Sequence, residues 1–88
     1  MRVEFKKSFA RDLKKTKEKQ LLQQIKEIIE EVEHAPSVEV INNLKQLKGG
    51  ENYYRIRLGD YRIGLKLEND AIVFVRFLHR KEIYRYFP

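Results

Sequence analysis

The sequence predicts an α+β fold in which an N-terminal strand, a helical hairpin and an antiparallel β-meander form one sheet with helices on one face. Two observations on the 88 residues predict it. Apolar residues recur at helical spacing in the first half, whereas apolar and polar residues alternate with a period of two in the second half. A sheet that is apolar on one face needs a covering layer, which the helices supply. The length allows a single domain over residues 1–88.

The first half begins with a short strand, because Val3 and Phe5 alternate with polar neighbours. Ser8 is the predicted N-cap of a short helix, whose inner face consists of Phe9, Ala10 and Leu13. A second helix follows from a stripe of apolar residues at spacings of one and three, namely Leu21, Leu22, Ile25, Ile28, Ile29 and Val32. Pro36 ends this helix, and Ser37 begins one further turn.

The second half is predicted to be a three-strand meander. Gly59-Asp60 is a two-residue hairpin signal, so Leu58 pairs with Tyr61. Residues 71–78 are apolar on both faces, which is typical of a central strand. A three-residue loop, 68–70, is expected to pair Leu67 with Ala71. The remaining residues, 80–86, form a short helical or extended tail.

This register gathers basic side chains on the sheet face away from the helices. Arg57 lies opposite Arg62, and the same face carries Tyr53, Arg55 and Lys66. Like charges directly opposite one another are destabilising by some tenths of a kcal/mol, and an anion bound between them would turn that cost into affinity. The three-residue loop adds Arg76 opposite Arg62 as a fourth guanidinium. The alternative is a solvated polar face on which the arginines splay apart.

The composition favours a polyanionic partner, nucleic acid before membrane, because the formal net charge is +6. The absence of cysteine excludes disulfides and thiolate zinc sites, and two histidines without ligand spacing argue against any metal. No cofactor is expected. No apolar run reaches the ~18 residues of a membrane span, and no signal-peptide pattern opens the chain. The expected location is the cytoplasm.

Two residues near the C-terminus are candidates for proton transfer. His79, at the end of the last strand, could supply acid–base chemistry, because histidine is a common general acid or base; the alternative role is a hydrogen bond at the strand end. Tyr84 could stack on a base or lend its phenol, whereas Phe87 is expected to pack the tail onto the sheet.

At this point the residues resemble a known family. Leu47-Lys48-Gly49, then YRIRLGDYRI at 54–63 and HRKEIYR at 79–85, are similar to the RelE branch of the RelE/ParE toxins of toxin–antitoxin systems, over nearly the whole chain. The resemblance implies a RelE-like domain that enters the ribosomal A site and cleaves mRNA without metal. The mRNA 2′-hydroxyl attacks the adjacent phosphate and leaves a cyclic phosphate.

The resemblance also assigns residues. The two basic residues before the hairpin turn fall on Arg55 and Arg57, where the family pattern has lysines. The arginine after the turn falls on Arg62, the arginine at the end of the last strand on Arg80, and the tail tyrosine on Tyr84. We therefore predict Arg62, Arg80, Tyr84 and His79 as catalytic residues, and Arg55, Arg57, Lys66 and Arg76 as phosphate-binding residues.

The resulting hypothesis is a ribosome-dependent mRNA endoribonuclease whose base is Tyr84 or His79. Its expected partners are ribosome-bound mRNA and a cognate antitoxin, which charge complementarity predicts to be small and acidic. One alternative is a gyrase-inhibiting toxin of the ParE kind. Another is a non-catalytic module that binds RNA or a protein partner.

Overall fold

The chain forms five strands and three α-helices in the computed structural model, which describes residues 1–49 and 52–88. The elements follow in the order β1 (Arg2–Phe5), α1 (Lys7–Lys14), α2 (Lys19–His34), a 3-10 turn (Val38–Val40), β2 (Leu44–Gln46), β3 (Tyr53–Leu58), β4 (Tyr61–Glu68), β5 (Ala71–His79) and α3 (Ile83–Tyr86). The predicted strand, helical hairpin, meander and helical tail are confirmed, as is the turn after Pro36. The three-residue β2 was not predicted.

All five strands belong to one sheet, in the order β1-β5-β4-β3-β2, with β1 parallel to β5 and the other pairs antiparallel. The predicted union of the first strand with the meander is therefore correct. Helices α1 and α2 cover one face of this sheet. The apolar faces of the helices and of the sheet pack against each other and are thereby buried from water. The resulting core includes Phe9, Leu21, Ile25, Val32, Ile56, Ile63, Leu65, Ile72, Phe74 and Phe77.

Helix α1 departs from two predictions. Ser8 is not the N-cap, because the helix begins at Lys7, and the Ser8 hydroxyl instead donates to the backbone oxygen of Val75 at 2.5 Å. Ala10 is exposed, and Asp12 is buried in its place, with 6% exposure. The Asp12 carboxylate accepts a hydrogen bond from the Phe77 amide at 2.9 Å and two from Arg76 at 2.8 and 3.1 Å. These donors offset the cost of burying a charge.

The β3–β4 hairpin has the predicted register. Leu58 pairs with Tyr61, and Arg57 lies directly opposite Arg62. Gly59 has a φ of +57°, as the first central residue of a type II′ turn requires. This turn twists in the same sense as its strands and therefore holds the pairing without strain.

The β4–β5 connection differs from the prediction. Glu68 pairs with Ala71, so the turn has two residues, Asn69 and Asp70, both with positive φ as in a type I′ turn. The three-residue loop was predicted because a two-residue loop in a regular ladder would place Arg76 opposite Ile63. A bulge solves this problem instead, since the register shifts between Gly64 and Leu65.

Because of the bulge, the cross-strand contacts of β5 differ from those predicted. Leu65 pairs with Phe74 and Gly64 with Arg76, which leaves Val75 as the extra residue. Phe77 therefore lies opposite Ile63 in the core. Arg62 lies opposite Leu78, and not opposite Arg76 as predicted.

The second sheet face is covered in part by α3. Its first residue, Ile83, is 0% exposed, and Phe87, which follows the helix, is 2% exposed. This confirms that Phe87 packs the tail onto the sheet. The Phe87 ring lies over Gly64, where an added Cβ would approach ring carbons to 2.7 Å. We call this side, which carries Arg57, Arg62 and α3, the arginine face. In the described part of the chain, no helix is long and apolar enough to cross a membrane.

Substituting alanine for Asp12 and, as a control, for Asp60 separates the buried ion pair from an exposed one. Asp12→Ala leaves the half-buried Arg76 and the Phe77 amide without their acceptor, so the free energy of unfolding should fall by about 3 kcal/mol. Asp60→Ala removes only an exposed pair with Arg80, with an expected loss of about 0.5 kcal/mol. Chemical denaturation measures both, and equal losses would contradict this account of Asp12.

Candidate functional site

Three arginines converge at the end of the β3–β4 hairpin. Arg57 precedes the turn, Arg62 follows it, and Arg80 follows β5 at the same end of the sheet. They line a shallow groove of about 620 Å³, which we call the arginine groove, together with Asn43, Leu58, Gly59 and Asp60. Among the described residues that line it, Asp60 is the single carboxylate, so positive charge dominates.

Arg62 is held in place by the turn itself. Its Nη1 donates to the backbone oxygens of Gly59 and Tyr61, both at 2.8 Å. These acceptors are neutral, so they orient the guanidinium without cancelling its charge. Positioned charge of this kind is suited to a phosphate, because a guanidinium can offer it parallel N–H donors.

Arg80 is anchored through its backbone and loosely paired through its side chain. Its backbone amide donates to the backbone oxygen of Asp60 at 2.7 Å, and its Nε lies 3.5 Å from the side-chain Oδ1 of Asp60. The two side chains are 55% and 74% exposed, so solvent screens the pair and it contributes little to stability. An incoming phosphate can therefore compete with Asp60 for Arg80.

Arg57 and Arg55 have different surroundings, although both point to the same face of β3. Arg57 is exposed, and no side-chain acceptor for it is found within residues 1–49 and 52–88. Arg55 lies outside the arginine groove and donates from Nη1 to the Asn43 oxygen at 3.1 Å, while its Nε is buried with no partner among the described residues. Asn43, with a φ of +63°, also accepts from the Arg57 amide.

The other two predicted phosphate-binding residues have carboxylate partners. Lys66 Nζ lies 3.3 Å from Glu68 and over the Tyr53 ring. Arg76 makes the bidentate pair with Asp12, and this hydrogen bonding raises the pKa of the Arg76 guanidinium above its ordinary value. The structure thus brings Arg57, Arg62 and Arg80 together and separates Lys66 and Arg76 from them.

His79 lies on the other side of the sheet. It pairs with Tyr61, and their rings meet edge to face at 5.5 Å. Its Nδ1 accepts a hydrogen bond from the Lys81 amide at 3.1 Å. His79 lines a second groove of about 630 Å³ at the edge of β5, between the α1–α2 connection and α3, and not the arginine groove.

Tyr84 projects from α3 and is 61% exposed. It lines neither groove. Its neighbour Tyr86 stacks under Arg76, with 5.8 Å between the guanidinium carbon and the ring centre. Tyr84 and the three arginines therefore share the arginine face without direct contact between the phenol and the groove.

The sequence analysis missed Asn43, Asp60 and Asp12 as contributors. Asp60 was interpreted as a turn residue alone, and Asn43 gave no pattern. The signal for Asp12 was present, because an acidic residue interrupts the inner face of a short amphipathic helix. Within the described ranges, no cluster of three His, Cys, Asp or Glu residues could hold a metal ion.

Comparison with known proteins agrees with this geometry. A sequence model described as "ParE toxin of type II toxin-antitoxin system, parDE" matches residues 3–84. Toxin RelE3 of Methanocaldococcus jannaschii is 47% identical over 89 residues, which span 100% of both chains. A second protein of that organism, putative toxin RelE1, is 33% identical over 91% of this chain and 89% of its own length.

Solved structures show the same fold. The RelB-RelE antitoxin-toxin complex from Methanococcus jannaschii contains a chain with 46% identity and a TM-score of 0.81, covering 97% of this chain and 99% of that one. A chain of the archaeal RelE-RelB complex from Pyrococcus horikoshii OT3 superposes with a TM-score of 0.72 at 23% identity, over 93% and 97% of the two chains. The chain therefore belongs to the RelE/ParE family of toxins from type II toxin–antitoxin systems, and it is similar to the RelE branch.

Proposed function

We propose that this toxin binds mRNA at the ribosome through the arginine groove and cleaves the RNA backbone. The observation that carries the proposal is the convergence of Arg57, Arg62 and Arg80 on one groove with a single carboxylate among its described lining residues. The RNA 2′-oxygen attacks the adjacent phosphorus, the bond to the 5′-oxygen breaks, and a cyclic phosphate remains. The residues assigned to this step require neither a metal nor a cofactor.

The arginines serve as the electrostatic part of the site. Negative charge builds on the phosphate oxygens in the transition state, and fixed cations placed there in advance lower the barrier. Arg62 is oriented by two backbone oxygens, and Arg80 exchanges its weak pair with Asp60 for the phosphate. Arg55 and Lys66, farther along the arginine face, would contact neighbouring phosphates of the strand.

The base comes from outside the groove, because a guanidinium stays protonated and cannot accept the 2′-hydroxyl proton. We assign this role to the phenolate oxygen of Tyr84, whose helix lies on the arginine face and whose side chain is exposed. It takes up the 2′-hydroxyl proton and returns it to solvent afterwards. The alternative base, His79, faces the second groove. The leaving 5′-oxygen takes its proton from solvent water.

The ribosome supplies what a shallow groove lacks. In the described part of the chain, the surface around these arginines is a shallow groove, which does not by itself hold a strand rigidly against Tyr84. Positioning by a second surface can lower a barrier by several kcal/mol. This requirement places the proposed action in the cytoplasm.

A cognate antitoxin is the proposed protein partner. The solved relatives from Methanococcus jannaschii and Pyrococcus horikoshii are complexes with a RelB antitoxin. A small acidic partner would complement the net charge of +6. Purification of the chain together with the product of its neighbouring gene tests this, and recovery without any small acidic protein would count against it.

Inhibition of DNA gyrase is the second candidate function. One observation favours it, because the matching family model describes a ParE toxin. We rank it second because the two relatives that cover 100% and 91% of the chain are named toxin RelE3 and putative toxin RelE1, and because gyrase inhibition gives no role to the arginine groove. Loss of supercoiling activity when gyrase is mixed with the purified chain, together with intact mRNA on ribosomes, would reverse this ranking.

Replacement of Arg57 by alanine should lower mRNA cleavage on ribosomes about 100-fold, since it removes one cation from the developing charge. Its stability should change by less than about 0.5 kcal/mol, because the side chain is exposed. Arg11→Ala is the matched control: it makes the same charge change on α1, on the other side of the sheet. Equal cleavage by both variants would exclude the arginine groove as the site.

Replacement of Tyr84 by phenylalanine should reduce the turnover number about 100-fold, because it removes the proton acceptor but keeps the ring. Tyr86→Phe is the control and should retain activity. A message carrying a single 2′-deoxynucleotide at the cleaved position should remain intact with the parent chain. Its cleavage would disprove 2′-hydroxyl attack whatever the tyrosine variants show.

A further inference from the structure

We infer that Arg76 is a positioning residue that, together with Gly64, holds α3 on the sheet and thereby fixes Tyr84. It is not a phosphate ligand. The functional consequence rests on the proposed role of Tyr84 as the base, whereas the docking of α3 is a separate property that can be measured alone.

The bulge in β5 directs Arg76 to the face where α3 lies. Phe74 and Phe77 both belong to the core, although they are three residues apart. A regular strand would put residues 74, 76 and 78 on the same face, so Arg76 would be buried in the core. The extra residue, Val75, changes the alternation and places Arg76 beside Gly64. Bulges commonly re-aim a side chain in this way.

Arg76 contacts both α1 and α3. On one side its guanidinium donates two hydrogen bonds to Asp12 of α1. On the other side it lies 5.8 Å from the ring centre of Tyr86 of α3, within the range of a cation–π contact. Asp12 neutralises the charge of Arg76 and accepts hydrogen bonds from its Nε and Nη2. Arg76 therefore has few donors and little net charge available for a phosphate.

Gly64, on the neighbouring strand β4, also contacts the tail. We call the surface that Arg76 and Gly64 form under the tail the seat. The Phe87 ring occupies the space that a Cβ at position 64 would fill, with ring carbons 2.7 to 2.9 Å from that point. Tyr53 packs edge to face against the same ring at 5.6 Å. The two cross-strand partners, Gly64 and Arg76, thus hold consecutive residues of the tail, Phe87 and Tyr86.

These contacts matter because α3 cannot set its own position. It has four residues, far below the length at which an isolated helix is stable. Tyr84 lies between the buried Ile83 and the residues that Arg76 and Gly64 hold, so its location relative to the arginine groove depends on this seat. A displacement of about 1 Å can reduce a catalysed rate up to 100-fold.

The decisive variant is Tyr86→Leu, which removes the ring from Arg76 but leaves the Asp12–Arg76 pair intact. Tyr86→Phe retains the ring and serves as the conservative rescue. Two quantities are measured on the full chain: hydrogen exchange of the Arg85 and Phe87 amides, which are bonded within the tail at 3.0 and 2.8 Å, and the kinetics of mRNA cleavage on ribosomes.

For Tyr86→Leu we expect faster exchange of both amides and a turnover number about tenfold lower at unchanged KM. Tyr86→Phe should restore both. Unchanged exchange and turnover in Tyr86→Leu would overturn the inference. Arg76→Lys keeps the positive charge but removes the guanidinium that makes two hydrogen bonds to Asp12. An increase of KM alone in that variant would indicate that Arg76 is a phosphate ligand, and this result would also overturn the inference.

The two proposals fail separately. If the parent chain cleaves no mRNA, the proposed nuclease function is wrong, and the exchange comparison alone decides whether Arg76 and Tyr86 hold the tail. If the parent chain cleaves and Tyr86→Leu exchanges faster with full turnover, the seat exists but does not position Tyr84, and the inference is wrong in its functional part.

Discussion

The pairing of β3 with β4 is the constraint from which the rest of the site follows. A two-residue turn with Gly59 at positive φ aligns Arg57 with Arg62, and like charges so placed repel one another. The opposite face of the same two strands buries Ile56 and Ile63. A slip by one residue would exchange the faces and bury arginines in the core. Burial of these apolar side chains therefore keeps the cations together. The free energy gained by packing on the helix-covered face offsets the repulsion between the arginines on the other face.

Two aspartates place two of the arginines in different environments. Asp12 is buried and binds Arg76 through two hydrogen bonds, so that arginine becomes part of the packing between α1, β5 and α3. Asp60 is exposed and meets Arg80 at 3.5 Å, so solvent and ligands compete for that arginine. The same chemical pair thus has opposite consequences, because desolvation decides how firmly a carboxylate retains its cation.

Much of this arrangement could be predicted from local pattern. The change of hydrophobic period located the helices and strands, and the Gly59-Asp60 turn gave the register that aligned Arg57 with Arg62. The resemblance over residues 47–85 indicated the family, which the comparisons confirm. The predictions of the β4–β5 loop, of the cross-strand partner of Arg76 and of a buried Ala10 were wrong, and β2 was missed. The bulge at Val75 accounts for the loop and for the cross-strand partner of Arg76. The burial of Asp12 could not be predicted without knowledge of which groups of β5 it would meet.

The amino-acid sequence by itself determined the α+β class, the hairpin register and the gathering of basic residues on one sheet face, because these depend on periodicity and turn chemistry between near neighbours. Only the tertiary structure decided which of those residues stay together. Arg76 is paired with Asp12 across 64 positions, His79 faces the second groove, and the tail that carries Tyr84 packs its Phe87 ring on Gly64. Such contacts join distant segments, and their energies depend on burial and on one extra residue in a strand, which no local pattern contains.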